Sequence, residues 1–413
     1  MKKAIILLIA VSLVFCVFLG STLGKTKEVT ITYLSWQNES AMKPILDGFS
    51  KKYPNIKVDL QFAPPVKDYV EKLKTMLLTD SAPDVFMMAL ENREDIMKGK
   101  YALDLTSQPF MKAIPDYSRA MYGENGKAYS MSVAAWVGGI YYNKALFKKA
   151  GITKEPETWN EFLALCKKLK DAGIQPFLDN CQDAAVNIVP ILFAAETYAQ
   201  NPNFTKQVYA GKKKFADGWA APLTLWYNGM VKNGYMTPDM VGITNDQRIN
   251  EFATEKVAMI LGGPWNIPDI EKINPKIDYK MMYIPGTKPN NKWYAGCVDV
   301  GFSIYRKTKY KAEALKFLEY ISSPAGLEAF HKGTGQLIIA KGYTPPVPAP
   351  LVDAYKNGLL TGKNYIPMGE WHRYTEALRN QYVISMQDCF VGKITPAGAA
   401  KTLDAKLREM KQN

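Results

Sequence analysis

The sequence predicts an α/β chain folded as two lobes. Three observations predict it. Strand and helix patterns alternate between Val29 and Ala89, an order that builds a parallel sheet with right-handed crossovers. The chain has 413 residues, 47% of them apolar, more than the roughly 250–300 residues at which a single core stops growing. No internal repeat or low-complexity tract suggests another architecture.

Taken in order, residues 1–24 read as an export signal. Lys2 and Lys3 precede an uncharged, mainly apolar run from Ala4 to Leu19, and Thr22-Leu23-Gly24 supplies small residues for cleavage. The run is shorter than the ~20 residues a bilayer-spanning helix needs, so the mature chain is expected to begin near Lys25, outside the cytoplasm. Cys16 raises a lipid-anchored alternative, opposed by Phe15 where a small residue is expected.

Val29 to Trp36 is rich in β-branched residues and reads as the first strand. A helix follows from about Ala41, with Met42, Ile45, Leu46, Phe49 and Tyr53 at helical spacing and Pro44 in its first turn. Ile56 to Phe62 alternates as a second strand, Val66 to Leu78 is amphipathic, and Asp84 to Ala89 is the continuous apolar run of a strand covered on both faces. Ligands bind such sheets beyond the carboxyl ends of the strands. Trp36, Gln37 and Asn38, then Glu91 and Asn92, are candidates by that position, although Glu91 equally suits a solvated helix start.

Tyr129 to Tyr142 is a further β-rich segment that carries Trp136. Thr158-Trp159-Asn160-Glu161 is a capping box opening a helix to Gly173, and a short strand then leads to a polar loop with Asn180, Gln182 and Asn187. Trp219 and Trp226 stand seven apart on one helical face and are assigned to core. Val257 to Leu261 is a strand ending in Gly262-Gly263-Pro264, a tight turn whose glycines are expected to supply backbone angles that a side chain forbids and so present Trp265 beyond the strand. The flat apolar face of Trp265 suits the C–H face of a sugar ring, and packing under a neighbouring loop is the plain alternative. Tyr279 to Ile284 and Trp293 to Arg306 are extended, the latter with Asp299 in its middle. Ala312 to Ile321, Trp371 to Met386 and Ala397 to Met410 are helical, and Ser322-Ser323-Pro324 caps a further short helix.

Composition narrows the chemistry. The net charge of +13 comes from lysines scattered through helices, the longest run being Lys212-Lys213-Lys214, so a solvated surface is expected and a nucleic-acid partner is not. Cys166, Cys181, Cys297 and Cys389 are too few for a disulfide scaffold. A Cys166–Cys181 bridge is left open. His331 and His372 have no metal-ligand spacing, and no GxSxG elbow or phosphate loop is present. No cofactor is expected. Paired carboxylates can hide anywhere, because glycosidases carry no local spacing rule.

Several stretches carry a resemblance. Thr32-Tyr33-Leu34-Ser35-Trp36 through Phe49-Ser50-Lys51-Lys52-Tyr53-Pro54-Asn55-Ile56, then Ala82-Pro83-Asp84-Val85-Phe86 and Ile140-Tyr141-Tyr142-Asn143-Lys144, resemble the sugar-binding family of extracellular solute-binding proteins of bacterial ABC importers, which includes maltose-binding protein. Lys256-Val257-Ala258-Met259 through Gly263-Pro264-Trp265 is the most specific match, and Ala314 to Phe330 extends it. Asp80 departs from the family's usual glycine and is expected to keep the turn, since aspartate tolerates left-handed backbone.

The resemblance implies a type II periplasmic-binding-protein fold: residues 25–130 plus 284–322 in one lobe, 131–283 plus 323–413 in the other, each a mixed sheet flanked by helices. It places crossings near Tyr129 to Val133, Tyr283 to Gly286 and Ile321 to Pro324. It further implies polar ligand contacts from Trp36 to Asn38, Glu91 and Asn92, and Asn180 in its polar loop is a further candidate contact. Aromatic faces would come from Trp136, Trp265 and Trp371, and Asp299 would supply a bidentate carboxylate. Met88 stands where the relative has an aromatic. The function so implied is a monomeric, exported, non-enzymatic binding protein that delivers a carbohydrate, expected to be an oligosaccharide, to a membrane permease. An exported glycosidase using Glu91 or Asp299, a binding protein for another solute, and an adhesion or sensor subunit are the alternatives.

Overall fold

The computed structural model describes residues 28–64 and 66–412, so the expected signal segment and Cys16 lie outside the described residues. Strands β1 (Val29–Ser35), β2 (Ile56–Phe62) and β3 (Val85–Met88) begin the smaller sheet. β1 lies between the other two and runs parallel to both, with Val29 opposite Ile56 and Tyr33 opposite Val85. Parallel neighbours need a crossover, and the helices Glu39–Lys52 and Val66–Leu78 provide two. The first starts where Asn38 Oδ1 accepts the Ala41 N–H at 2.9 Å, and it buries Met42, Ile45 and Phe49. Pro44 therefore sits inside the helix rather than in its first turn. The carbonyl it leaves without a donor belongs to exposed Ser40, where water can reach it. Asp84 ties β1 to the start of β3, its Oδ2 accepting from the Thr32 N–H at 2.8 Å and the Thr32 hydroxyl at 2.9 Å. Asp80 adopts φ 53, the left-handed turn expected of it.

Beyond the two-stranded hairpin β4 (Gly123–Glu124) and β5 (Lys127–Ala128), the ten-residue β6 (Ala134–Asn143) forms the middle of an eight-stranded sheet. It pairs antiparallel with β8 (Val257–Gly262) and β9 (Tyr279–Met282), and at its other end with β11 (Lys292–Val298). β7 (Gln175–Leu178) runs parallel to β8, and β10 (Ile284–Pro285) pairs with β11. Every residue of β8 is buried. The helix Trp159–Asp171 opens with Thr158 Oγ1 accepting from the Glu161 N–H, but the Glu161 carboxylate reaches the Glu157 N–H at 2.7 Å, one residue before the partner a full capping box would use. Trp159, Trp219 and Trp226 are core, as expected. Cys166, Cys181, Cys297 and Cys389 are all free and buried. Among the described residues no helix is long and apolar enough to cross a membrane.

The chain passes between the two sheets three times, and two of the expected crossings move. The first falls where expected: Met131 still bridges to Phe302 while β6 begins at Ala134. At Tyr283 to Gly286 there is no crossing, because β9 and β10 on either side of Tyr283 are both hydrogen-bonded into the larger sheet. The return comes at Asp299-Val300, between β11 and β12 (Gly301–Ile304), which pairs antiparallel with β3. At Ile321 to Pro324 a helix ends and Ser323 caps the next, but that helix, Pro324–Thr334, packs on Glu39–Lys52 so closely that a Cβ on Gly333 would lie 2.0 Å from the Ala41 carbonyl oxygen. The third passage is therefore at Gly335-Gln336, just before β13 (Leu337–Ile338) joins β6. A last short strand, β14 (Asn364–Tyr365), adds to β11. The expected division at 284 and 322 thus becomes a change of sheet near 299 and 335.

Candidate ligand-binding site

Asp299 stands at the second passage between sheets and is fixed by its backbone. Its N–H donates to the Ala134 carbonyl at 3.0 Å, its carbonyl accepts from the Ser132 hydroxyl at 2.8 Å, and its Oδ1 accepts from the Val300 N–H at 2.8 Å. Burial pushes its carboxyl up to about 6, against the lowering effect of the Val300 N–H and the Gln336 side chain, with Glu91 repelling it further. Burial also raises the Glu91 carboxyl although the residue keeps an exposed surface; Glu376 adds to the shift, and Arg379 and Arg93 oppose it. Glu376 and Arg379 lie on the helix Thr375–Phe390, far along the chain from β3. Glu91, just past the carboxyl end of β3, is therefore within electrostatic reach of Asp299 and of the helix Thr375–Phe390.

The ends of β1 and β3 lie side by side because the two strands pair in parallel. Trp36 follows β1, half-buried and edge-on to buried Tyr69 with centroids 4.8 Å apart. The Tyr69 hydroxyl exchanges hydrogen bonds with the backbone of Met87, which anchors the end of β3. Gln37 is positioned by its N–H on the Ser35 hydroxyl, and its Oε1 is buried without a partner. Asn38 spends its oxygen on the helix cap. Asn92 is buried, with Oδ1 accepting from the Ala89 N–H and Nδ2 donating to the Met87 carbonyl. It shapes the turn that presents Glu91 rather than facing a ligand itself.

Trp136 and Trp265 form an aromatic corner. Their rings meet edge to face, centroids 5.4 Å apart at 66°, and Trp265 is 51% exposed. The two glycines before it are needed for proximity rather than for unusual backbone angles. Gly263 has φ −139, and a Cβ there would lie 2.4 Å from the Trp265 ring; on Gly262 it would lie 2.8 Å from the ring of Tyr141. Asn266 Oδ1 then accepts the Gly263 N–H at 3.0 Å and closes the turn. Trp136 is opposite Cys297 on β11, two residues before Asp299, so the corner and the carboxylate are carried by neighbouring strands.

Two expected contacts are placed elsewhere. Asn180 is buried in its loop, Nδ2 donating to the Ile243 carbonyl at 2.8 Å and Oδ1 accepting from the Gln182 N–H at 3.1 Å. Trp371 has no exposed surface and packs among Phe215, Trp219 and Tyr382. The expected helix from Trp371 starts instead at Thr375, which leaves the tryptophan in a turn folded into the core. Neither offers a face to a ligand in this arrangement.

Residues 35–328 match the family model for bacterial extracellular solute-binding proteins. The chain belongs to that family. This solute-binding protein is 27% identical over 358 residues to the multiple sugar-binding protein of Streptococcus mutans, covering 84% of this chain and 83% of that one. Its structure superposes with a TM-score of 0.86 on a family 1 extracellular solute-binding protein from Bifidobacterium longum subsp. infantis, at 30% identity and covering 93% of this chain and all of the other. The apo form of RafE from Streptococcus pneumoniae gives 0.79 at 24% identity, covering 94% of this chain and 99% of RafE. RafE in complex with raffinose gives 0.68, covering 92% and 99%.

Sequence reasoning missed a group of polar residues around Asp299 in this solute-binding protein. Tyr33 OH, Ser130 Oγ and Gln336 Oε1 are buried without hydrogen-bond partners among the described residues. Tyr33 and Asp299 lie within electrostatic reach of each other, the Gln336 side chain lowers the Asp299 carboxyl, and Ser130 Oγ lies beside Gly301, two residues further on, where a Cβ would collide with it at 2.2 Å. Buried polar atoms are seldom left unpaired, and Tyr33 and Ser130 have no exposed surface, so this group is closed to a ligand in the present arrangement. The signal in the sequence was faint, being only a tyrosine two residues before Ser35 and a serine at a passage point. Among the described residues no cluster of His, Cys, Asp and Glu could hold a metal ion.

Proposed function

We propose that this chain is the substrate-binding component of an ABC importer for a carbohydrate, with an oligosaccharide as its ligand. The observation that carries the reading is the aromatic corner of Trp136, on the strand beside β11 and Asp299, and half-exposed Trp265, in the turn after β8, with Glu91 and Trp36 past the ends of β3 and β1. Aromatic faces take the C–H faces of sugar rings, and carboxylates take pairs of hydroxyl donors. A ligand touching both sides favours the closed arrangement of the lobes by its differential affinity for it, and the closed form is what a permease would recognise. Exported as a monomer and held near the membrane, the protein would capture its sugar outside the cytoplasm.

A sugar library screened by melting temperature tests the substrate class. The cognate sugar is expected to stabilise by about 2.7 kcal/mol at a hundredfold excess over Kd, with most other sugars inert. No shift from any carbohydrate, with shifts from a peptide or another solute, would reject it.

The carboxyl of Asp299 gives a pH dependence with a definite sign. Accepting two hydroxyl donors requires the carboxylate, and in the free protein that group is half-protonated at about pH 6. Affinity is expected to fall about tenfold from pH 7 to pH 5. The free protein behaves in the opposite sense. Between the ordinary aspartate range and about pH 6 its native state holds more protons than the unfolded chain, so this group's contribution to stability declines as pH rises through that window. Calorimetric titration of Asp299→Asn should show weak, pH-independent binding; an unchanged pH profile would remove Asp299 from the contact set.

A further inference from the structure

A cavity of about 1020 Å3 lies between the segment 93–128 and residues Lys206, Tyr209, His372 and Arg373, and its lining contains none of Trp36, Trp136, Trp265 or Asp299. Its charges are unbalanced. Lys98 pairs with Glu94, Arg119 with Asp116 and Lys127 with Asp104, whereas Arg93, Lys206 and Arg373 have no ion-pair partner among the described residues, against one likewise unpaired carboxylate in the lining, that of exposed Glu124. Arg93 is only 4% exposed. Its Nη1 donates to the carbonyls of Met121 and Gly369, at 2.9 and 3.2 Å, and its Nη2 has no partner among the described residues. Glu370 feels both Arg93 and Lys206, but its carboxylate accepts from the Tyr198 hydroxyl at 3.3 Å and forms an ion pair with neither. A buried guanidinium with no direct ion-pair partner is costly; the Glu370 and Glu91 carboxylates offset part of that cost from a distance, and an anion that completes its fork recovers more of it. His372 shows the strain on the site: burial, with Arg93 and Lys206 adding to it, lowers its imidazole to about 4, so no acidic or neutral condition near physiological pH adds a further cation there.

We propose that this cavity is an oxyanion site, in which Arg93 Nη2, Lys206 and Arg373 hold a phosphate, sulfate or carboxylate group. The planar guanidinium suits two oxygens of one such group, and the lysine adds a point charge from the opposite wall. The anion bridges the two flanking segments, which come from different lobes. The site stands independently of the carbohydrate reading. Two sources share the chemistry, a free inorganic anion and the acid group of a sugar.

The test is a melting titration of the full mature chain with potassium phosphate against potassium chloride at matched ionic strength, with trigalacturonate as a separate arm. The melting temperature is expected to rise saturably with phosphate and not with chloride. Lys206→Met should raise the half-saturating phosphate concentration about tenfold, the loss of one charge-assisted contact, and Arg93→Lys should do the same. If Arg93→Lys fails to melt cooperatively, Lys206→Met combined with Arg373→Met decides. Phosphate competing with trigalacturonate assigns the anion to an acidic sugar, and additive shifts from phosphate and a neutral sugar assign it to a separate ion; either supports the site. The proposal is overturned if phosphate, sulfate and trigalacturonate do no more than chloride, or if the variants respond as the unaltered protein does.

Discussion

Trp265→Ala is expected to leave the melting temperature of the free protein nearly unchanged and to weaken binding of its sugar by roughly thirtyfold. The first half follows from exposure: the ring is half in water and packs on a glycine and one other tryptophan edge, and surface changes seldom exceed about 0.5 kcal/mol. The second half follows from area. Covering one indole face with a sugar ring removes apolar surface worth about 2 kcal/mol at 25 cal/mol per Å2, and that difference is roughly thirtyfold in Kd. Trp265→Phe should recover part of the loss, because a smaller flat face remains. Paired calorimetry and melting curves separate the two effects. A large fall in melting temperature with little change in Kd would make Trp265 a packing residue.

Trp371→Ala should do the reverse. Removing a fully buried indole from the cluster of Phe215, Trp219 and Tyr382 is expected to cost about 3–5 kcal/mol of stability, while the protein that remains folded binds sugar with its ordinary affinity. Trp371→Phe should be far milder. The indole N–H has no hydrogen-bond partner among the described residues, so deleting it removes an unsatisfied donor and offsets part of the lost volume. Chemical denaturation followed by a binding titration reads both quantities. Sugar affinity lost in Trp371→Phe at unchanged stability would return this tryptophan to the ligand contacts.

The elements most legible in the sequence were those whose pattern is local. β2 and the helix Val66–Leu78 fall where period two and period 3.6 put them, and Asp80 takes the left-handed turn. The glycines before Trp265 were recognised as special for the wrong physical reason, since their use is close packing of Trp265 and Tyr141 and a sequence does not display what approaches a backbone. The passages between sheets were misplaced because they depend on long-range pairing. An extended run such as Trp293 to Arg306 reads as one strand, yet its two halves belong to different sheets and Asp299 marks the change. Asn92, Asn180 and Trp371 were chosen for chemistry that suits a ligand, and the same chemistry suits turns and cores. Tyr33, Ser130 and Gln336 escaped notice because only the fold gathers them around one carboxylate.

In the proposed function a sugar draws the two lobes together around the passage at Asp299. Small-angle X-ray scattering of the mature protein, with and without the sugar that gives the largest melting shift, measures this most directly. A smaller radius of gyration at saturation, absent in Trp265→Ala at the same sugar concentration, is the predicted result. A sugar that saturates the protein while the radius stays unchanged would contradict it.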